Sequence, residues 1–145
     1  ARRMAAMTPE QLALGKARYR LASFLQFTLP GCPCVYYGDE AGMTGYRDPF
    51  NRQYYPWGRE DLDLQNHIRS LAQLKNSSEA LRLGNVEVLI AEYGHFAFRR
   101  RSARETVTLW CNAGRTPWSV ELAGECLLGD RTLPSLGFCA VRETP

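Results

Sequence analysis

Apolar positions recur at helical spacing near the start of the chain. Leu14, Ala17, Leu21, Phe24, Leu25 and Thr28 form one stripe, which predicts a helix from Pro9 to about Leu29. Thr8-Pro9-Glu10-Gln11 supplies its start: threonine caps, proline takes the first helical position, and glutamine three residues after the cap completes a capping box. Leu29-Pro30-Gly31 stops it, because proline cannot continue a helix and glycine tolerates the turn. Cys34-Val35-Tyr36-Tyr37 is short, apolar and β-prone without alternation, the pattern of a parallel strand covered on both faces. Gly38 then frees the backbone before two carboxylates, Asp39 and Glu40. Asp61 or Asp63 is expected to cap a second helix carrying Leu64, Ile68, Leu71 and Leu74 along one side. Asn76-Ser77-Ser78 breaks that helix, and Ser78 starts a last turn through Leu83 that Gly84 closes.

The texture changes from Asn85 onward. Val86–Ala91, His95–Arg99, Thr106–Cys111, Trp118–Leu122, Glu125–Leu128 and Phe138–Arg142 read as short strands divided by glycine-rich or polar turns. Strands at this spacing imply an antiparallel sandwich or small barrel. The fold expected is therefore α/β plus all-β, with one unit over residues 1–84 and a second over 85–145. No internal repeat or low-complexity tract is visible.

Between Gly38 and Arg59 lie about 20 residues with no element of their own, a length that is uncommon unless the loop is functional or disordered. Tyr46, Phe50, Tyr54, Tyr55 and Trp57 fall in it, and such aromatic content argues against disorder. The run G-x-P-x-x-Y-Y-G-D-E, then G-M-x-G-x-x-D-P-x-x-R and a tryptophan, resembles the α-amylase family of glycoside hydrolases (glycoside hydrolase family 13). Within it the likeness is to the neopullulanase, cyclomaltodextrinase and maltogenic amylase group. It is strong from about Leu14 to Trp57 and fainter from Asp63 to Gly84; beyond, it is architectural. The resemblance implies that residues 1–84 are the last helix-strand-helix segment of a (β/α)8 barrel, with Cys34–Tyr37 as the eighth strand. It also implies a small antiparallel β-sandwich directly after the barrel.

Asp48 and Arg52 stand four apart on the loop. A carboxylate accepts from sugar hydroxyls and a guanidinium donates through a rigid fork, so the two can converge on one pyranose ring; they can equally pair with each other to pin the loop. The resemblance implies sugar contact, because the family's matching Asp and Arg hold the glucose unit one place beyond the cleaved one, toward the non-reducing end. Asp39 and Glu40 pass superficially for a glycosidase pair, but neighbours in a strand point to opposite faces, so they are expected to brace the barrel mouth. Tyr46, Tyr54, Tyr55 and Trp57 either stack on sugar rings or pack the loop down. Structural roles are expected for His67 and His95, and Trp110 and Trp118 are expected to fill the sandwich core.

Composition narrows the class. The 145 residues are 45% hydrophobic, 23% charged and 11% aromatic, which are globular values. Such a chain can bury about two-thirds of its unfolded surface. The net charge of +3 is slight, and Arg99-Arg100-Arg101 with Arg104 reads as a solvated strand end and turn rather than a nucleic-acid patch. No apolar stretch approaches a membrane span, and no signal peptide is visible. The five cysteines, with Cys32 and Cys34 leading into the expected strand, read as buried reduced thiols in a cytoplasmic setting. No metal or cofactor site is expected.

Retaining hydrolysis of an α-glucoside needs a nucleophilic carboxylate and a second that acts as acid then base. The resemblance implies an Asp, a Glu and a His-Asp pair on strands four, five and seven. No His-Asp dipeptide occurs here, and all three groups are expected upstream of Ala1. The reading is thus the C-terminal part of a retaining enzyme, inactive by itself, that cleaves α-1,4 glucosidic bonds in maltooligosaccharides, cyclodextrins or pullulan, with α-1,6 bonds left open as a second linkage. The alternative is a non-catalytic carbohydrate-binding or structural module. An α-glucan oligosaccharide is the expected partner of the full-length protein, with no nucleic acid and no membrane, and uncovered barrel edges leave a homodimer of the isolated chain open.

Overall fold

The computed structural model describes residues 7–45, 47–121 and 123–143. Helix α1 spans Pro9–Thr28 with the full capping box at Thr8 and Gln11. Asp61, not Asp63, caps α2 (Leu62–Ser77), its side chain accepting from Leu64 N. Ser78 caps the short α3 (Glu79–Leu83), which ends at Gly84. Seven strands follow among the described residues: β1 Asn85–Glu92, β2 His95–Arg101, β3 Thr106–Asn112, β4 Trp118–Ser119, β5 Gly124–Gly129, β6 Thr132–Leu133 and β7 Phe138–Glu143.

The strands pair antiparallel into one five-stranded sheet, ordered β1-β2-β3-β7-β5, and a two-stranded ribbon, β4-β6. Alternation along the strands sorts the side chains into two layers. Phe98, Val107, Leu109, Cys111 and Ala140 face Leu21, Phe24, Phe27, Leu71, Leu74 and Leu81 of the helices. Ala97, Trp110, Cys139 and Val141 face Val120 and Leu133 beside the ribbon, with Trp118 packed against them. The helices are therefore fastened to one face of the sheet through a core that runs across Gly84.

One expected element is absent. Residues 32–36 carry no regular element, and no strand pairs with them among the described residues. Tyr36 and Tyr37 are roughly half exposed, and Cys32 and Cys34 are exposed rather than buried. A parallel strand exists only through hydrogen bonds to its neighbours, and apolar sequence cannot supply them. The strand expected to reach Leu122 stops at Ser119, with Leu122 outside the described residues. The basic run also departs from expectation. Arg99 binds Glu143 and Glu87 and Arg104 binds Glu79. Arg100 is buried, donating to Thr28 O at 2.6 Å and Gly84 O at 2.9 Å. Lys75 adds bonds to Phe27 O at 3.0 Å and Leu29 O at 3.3 Å. Two cations thus satisfy carbonyls that α1, with no basic residue in its last turn, leaves open.

Two carboxylates join the remaining pieces. Glu105 accepts from Ser78 Oγ at 2.6 Å, Ala80 N at 2.9 Å and Arg142 Nε at 3.1 Å, tying the β2–β3 turn to the start of α3. Glu143 accepts from Arg99 Nε at 2.8 Å and from Thr108 Oγ. Burial works against both charges, yet these donors outweigh it and hold both carboxyls below their ordinary values. Depressed carboxyls add stability that is complete above the unfolded-state value of about 4.3 and is lost as pH falls through the folded-state value. Stability by urea denaturation should therefore be level from pH 7 to about 5 and decline below it. Glu105→Gln should flatten that decline, and an unchanged acid limb in the variant would refute the assignment.

Candidate functional site

The described residues of the loop from Gly38 to Arg59 are held by hydrogen bonds of their own. Gly38 opens it in the left-handed region at φ 90°, where a Cβ would collide with the Met43 side chain. Met43 N and Ala41 N both return to Gly38 O, at 2.9 and 3.0 Å, and Asp61 N reaches Ala41 O at 3.0 Å. Asp61 also pairs with Lys16 of α1 at 2.5 Å, so the loop is stitched to both long helices. Farther out, Tyr37 Oη donates to Gln53 O at 3.0 Å and Gln53 Nε2 to Thr44 O at 2.9 Å. These bonds fold the tip back over Tyr37.

At that tip Arg52 Nε donates to Asp48 Oδ1 at 2.8 Å. The side chains remain 67% and 63% exposed, and the pair makes no other side-chain hydrogen bond among the described residues. Asp48 and Arg52 are therefore together, as the spacing allowed, and they pin each other. Their charged edges are still open to a ligand.

Two hollows lie beneath. One, of about 240 Å³, is bounded by Leu12, Lys16 and Tyr19 of α1 and by Asp39, Met43 and Thr44. The other, of about 210 Å³, lies between Tyr36, Tyr37, Asp39, Met43 and Asn51. Asp39 lines both; Asp48 and Arg52 line neither. Burial first, and then Glu40, push the Asp39 carboxyl up. Burial, followed by Asp39 and Glu40, pushes the Tyr19 phenol up to about 12. Glu40 turns back to accept from Gly38 N at 2.9 Å. The two adjacent carboxylates sit in a turn rather than a strand, and Glu40 lines neither hollow.

Asn51 is the residue that sequence reasoning passed over. Its Oδ1 is buried and has no hydrogen-bond partner among the described residues, an arrangement that ordinarily costs stability. Its only sequence signal is its place as an unspecified position just before Arg52 in D-P-x-x-R. Among the loop aromatics, Tyr54 is 100% and Trp57 81% exposed. Tyr55 rests on Trp57 with ring centroids 4.5 Å apart and accepts from Gln65 Nε2 at 3.3 Å. Tyr46 lies outside the described residues.

The histidines are structural. His67 is buried, with Nε2 3.0 Å from Ser23 Oγ and 3.1 Å from Arg20 O, and burial lowers its pKa. His95 stacks on Trp118 at 4.4 Å. Among the described residues no cluster of His, Cys, Asp and Glu is arranged to hold a metal ion, and no helix is long and apolar enough to cross a membrane.

Residues 1–88, which include this whole loop, match the family described as "Alpha amylase, catalytic domain". The chain belongs to the α-amylase family. Family membership makes it part of a glycosidase lineage, the hydrolases of bonds between sugars. An amylopullulanase of Thermoanaerobacter thermohydrosulfuricus is 46% identical over 88 residues, covering 61% of this chain and 6% of that protein. A cyclomaltodextrinase of Geobacillus thermopakistaniensis (strain MAS1) is 33% identical over 135 residues, covering 88% of this chain and 23% of that protein. Among solved structures, the maltogenic amylase from S. marinus superposes with a TM-score of 0.78 at 30% identity, over 89% of this chain and 20% of that one. The chain thus spans about a quarter or less of the length of these α-amylase family relatives.

Proposed function

We propose that this chain is the C-terminal part of a retaining α-glucan hydrolase: the last helix-strand-helix segment of its (β/α)8 barrel and the all-β unit behind it. The substrate bonds are α-1,4-glucosidic, in maltooligosaccharides, cyclodextrins or pullulan, with α-1,6 cleavage the second activity to assay. The family match over residues 1–88 supports this reading, as do relatives named for amylose-type, cyclic and pullulan substrates. The observation that carries the site is the exposed Asp48–Arg52 pair at 2.8 Å. Its role is to hold the glucose unit one place beyond the cleaved one, toward the non-reducing end. The nucleophile and the acid–base belong to other parts of the enzyme, and the 145-residue chain alone is without hydrolytic activity.

In the full-length protein, Arg52→Ala and Asp48→Ala should each lower kcat/KM on cyclodextrin by about 10- to 100-fold, the worth of a charge-assisted hydrogen bond. Folding stability should hardly move, since an exposed pair contributes about 0–1 kcal/mol. An activity within twofold of the parent would remove Asp48 and Arg52 from the site. The exposed Tyr54 and Trp57 favour a second reading, a module that binds sugar without cleaving it. Calorimetric titration of the isolated chain with maltoheptaose separates the two. Binding that is lost on Trp57→Ala supports the module, and no binding supports the enzyme segment.

A further inference from the structure

Cys126 lies on the edge strand β5 and Cys139 on β7, the next strand inward. Their sulfur atoms are 3.9 Å apart. Cys126 is opposite Val141 and Gly129 opposite Cys139, with a bulge between Cys126 and Leu128. The two cysteines therefore sit on a diagonal of the ladder, where neighbours usually stand about 7–8 Å apart. A bulge bends and twists its strand, and here the two thiols meet. They differ sharply in access: Cys126 is exposed and Cys139 is buried. Burial first, and then the neighbouring Cys126, push the Cys139 thiol up to about 12.

We propose that Cys126 and Cys139 are a reversible redox pair, closed to an intrachain disulfide by a small-molecule disulfide such as oxidised glutathione. This inference stands apart from the sugar-binding reading. The exposed Cys126 thiolate attacks one sulfur of oxidised glutathione, forming a mixed disulfide and releasing one glutathione thiolate. The Cys139 thiol then gives its proton to water, and its sulfur attacks Cys126 Sγ. The mixed S–S bond breaks and the second glutathione thiolate leaves. The protein loses two hydrogens, the oxidant gains two electrons, and both released thiolates take up protons. Closing the bond brings the sulfurs from 3.9 Å to about 2.05 Å and releases the Cys126 thiol from the Gly129 carbonyl, 3.1 Å away. The bond staples an open sheet edge to its interior neighbour. Reduction by excess glutathione reverses it.

The test uses the intact chain, incubated with oxidised glutathione, alkylated and digested with trypsin. The expected product is a cross-link between peptides 116–131 and 132–142, abolished by Cys126→Ser and retained by the double variant Cys32→Ser, Cys34→Ser. Oxidation should also raise Tm by a few degrees, as a disulfide that restricts the unfolded chain does. A glutathione adduct that persists on Cys126 would overturn the proposal. So would a Cys32–Cys34 or intermolecular cross-link with Cys126 and Cys139 still open to alkylation. Because the wild-type chain alone yields the map, a misfolded variant leaves the result decidable.

Discussion

Phe24→Ala should destabilise the chain by about 3–5 kcal/mol, the range for removing an aromatic ring from a closed core. Phe24 is 0% exposed and its ring stacks on Phe138 at 4.5 Å and 20°, so α1 meets β7 directly at this point. The same cluster holds Leu71, Leu81, Phe98 and Leu109, so removing the ring opens a cavity inside it. The variant also tests how the molecule comes apart. Helix and sheet share one core, so far-ultraviolet ellipticity at 222 nm and tryptophan fluorescence should report a single transition in urea. With Trp57→Phe as background, only Trp110 and Trp118 would emit, both at the sheet. Two separated transitions would mean that the helices and the sheet are independent units.

Arg100→Ala should cost about 2–4 kcal/mol, although no carboxylate among the described residues partners it. The guanidinium is 1% exposed and its two terminal nitrogens serve Thr28 O and Gly84 O. Removing it takes a donor from the buried Thr28 carbonyl and from the part-buried Gly84 carbonyl. Arg100→Lys should recover only part of the loss, since one ammonium cannot reproduce a rigid fork that spans two acceptors. The effect should be nearly independent of salt, because a buried contact is poorly screened. A loss under about 1 kcal/mol would show that water replaces the side chain, and the bridging role would fall.

Local chemistry was legible in the amino-acid order; contacts between distant residues were less so. Thr8-Pro9-Glu10-Gln11 defines a helix start within four residues, and it forms as read. Ser78 and Gly84 bracket α3 for the same reason. The choice between Asp61 and Asp63 needed the fold, because Lys16 and Ala41 O hold Asp61 in place from other elements. Long strands with alternating faces were found, whereas the two-residue β6 exists only through its pairing with Trp118 and Ser119. Cys34–Tyr37 has the composition of a buried strand and none of the pairing. Arg100 shows a signal that was present and outweighed. By alternation it shares a face with Phe96 and Phe98, yet a run of arginines reads as solvent-facing.

At the site, the Asp48–Arg52 spacing was visible, and so was the aromatic character of the loop. The hollow against α1 was not, because Lys16, Tyr19 and Leu12 look like ordinary helix-surface positions until Asp39 and Met43 fold onto them. Asn51 carried only its position just before Arg52, as its significance lies in an oxygen with no partner among the described residues.

The Arg100 clamp has a consequence for how this architecture tolerates change. Because one side chain grips both Thr28 and Gly84, everything from 29 to 83 is a closed excursion with its two feet fastened together. Lengthening such an excursion adds closure entropy only logarithmically, about 0.6 kcal/mol per doubling. Insertions and deletions around residues 44–58 can therefore reshape the surface offered to a ligand without disturbing how the sheet below is assembled.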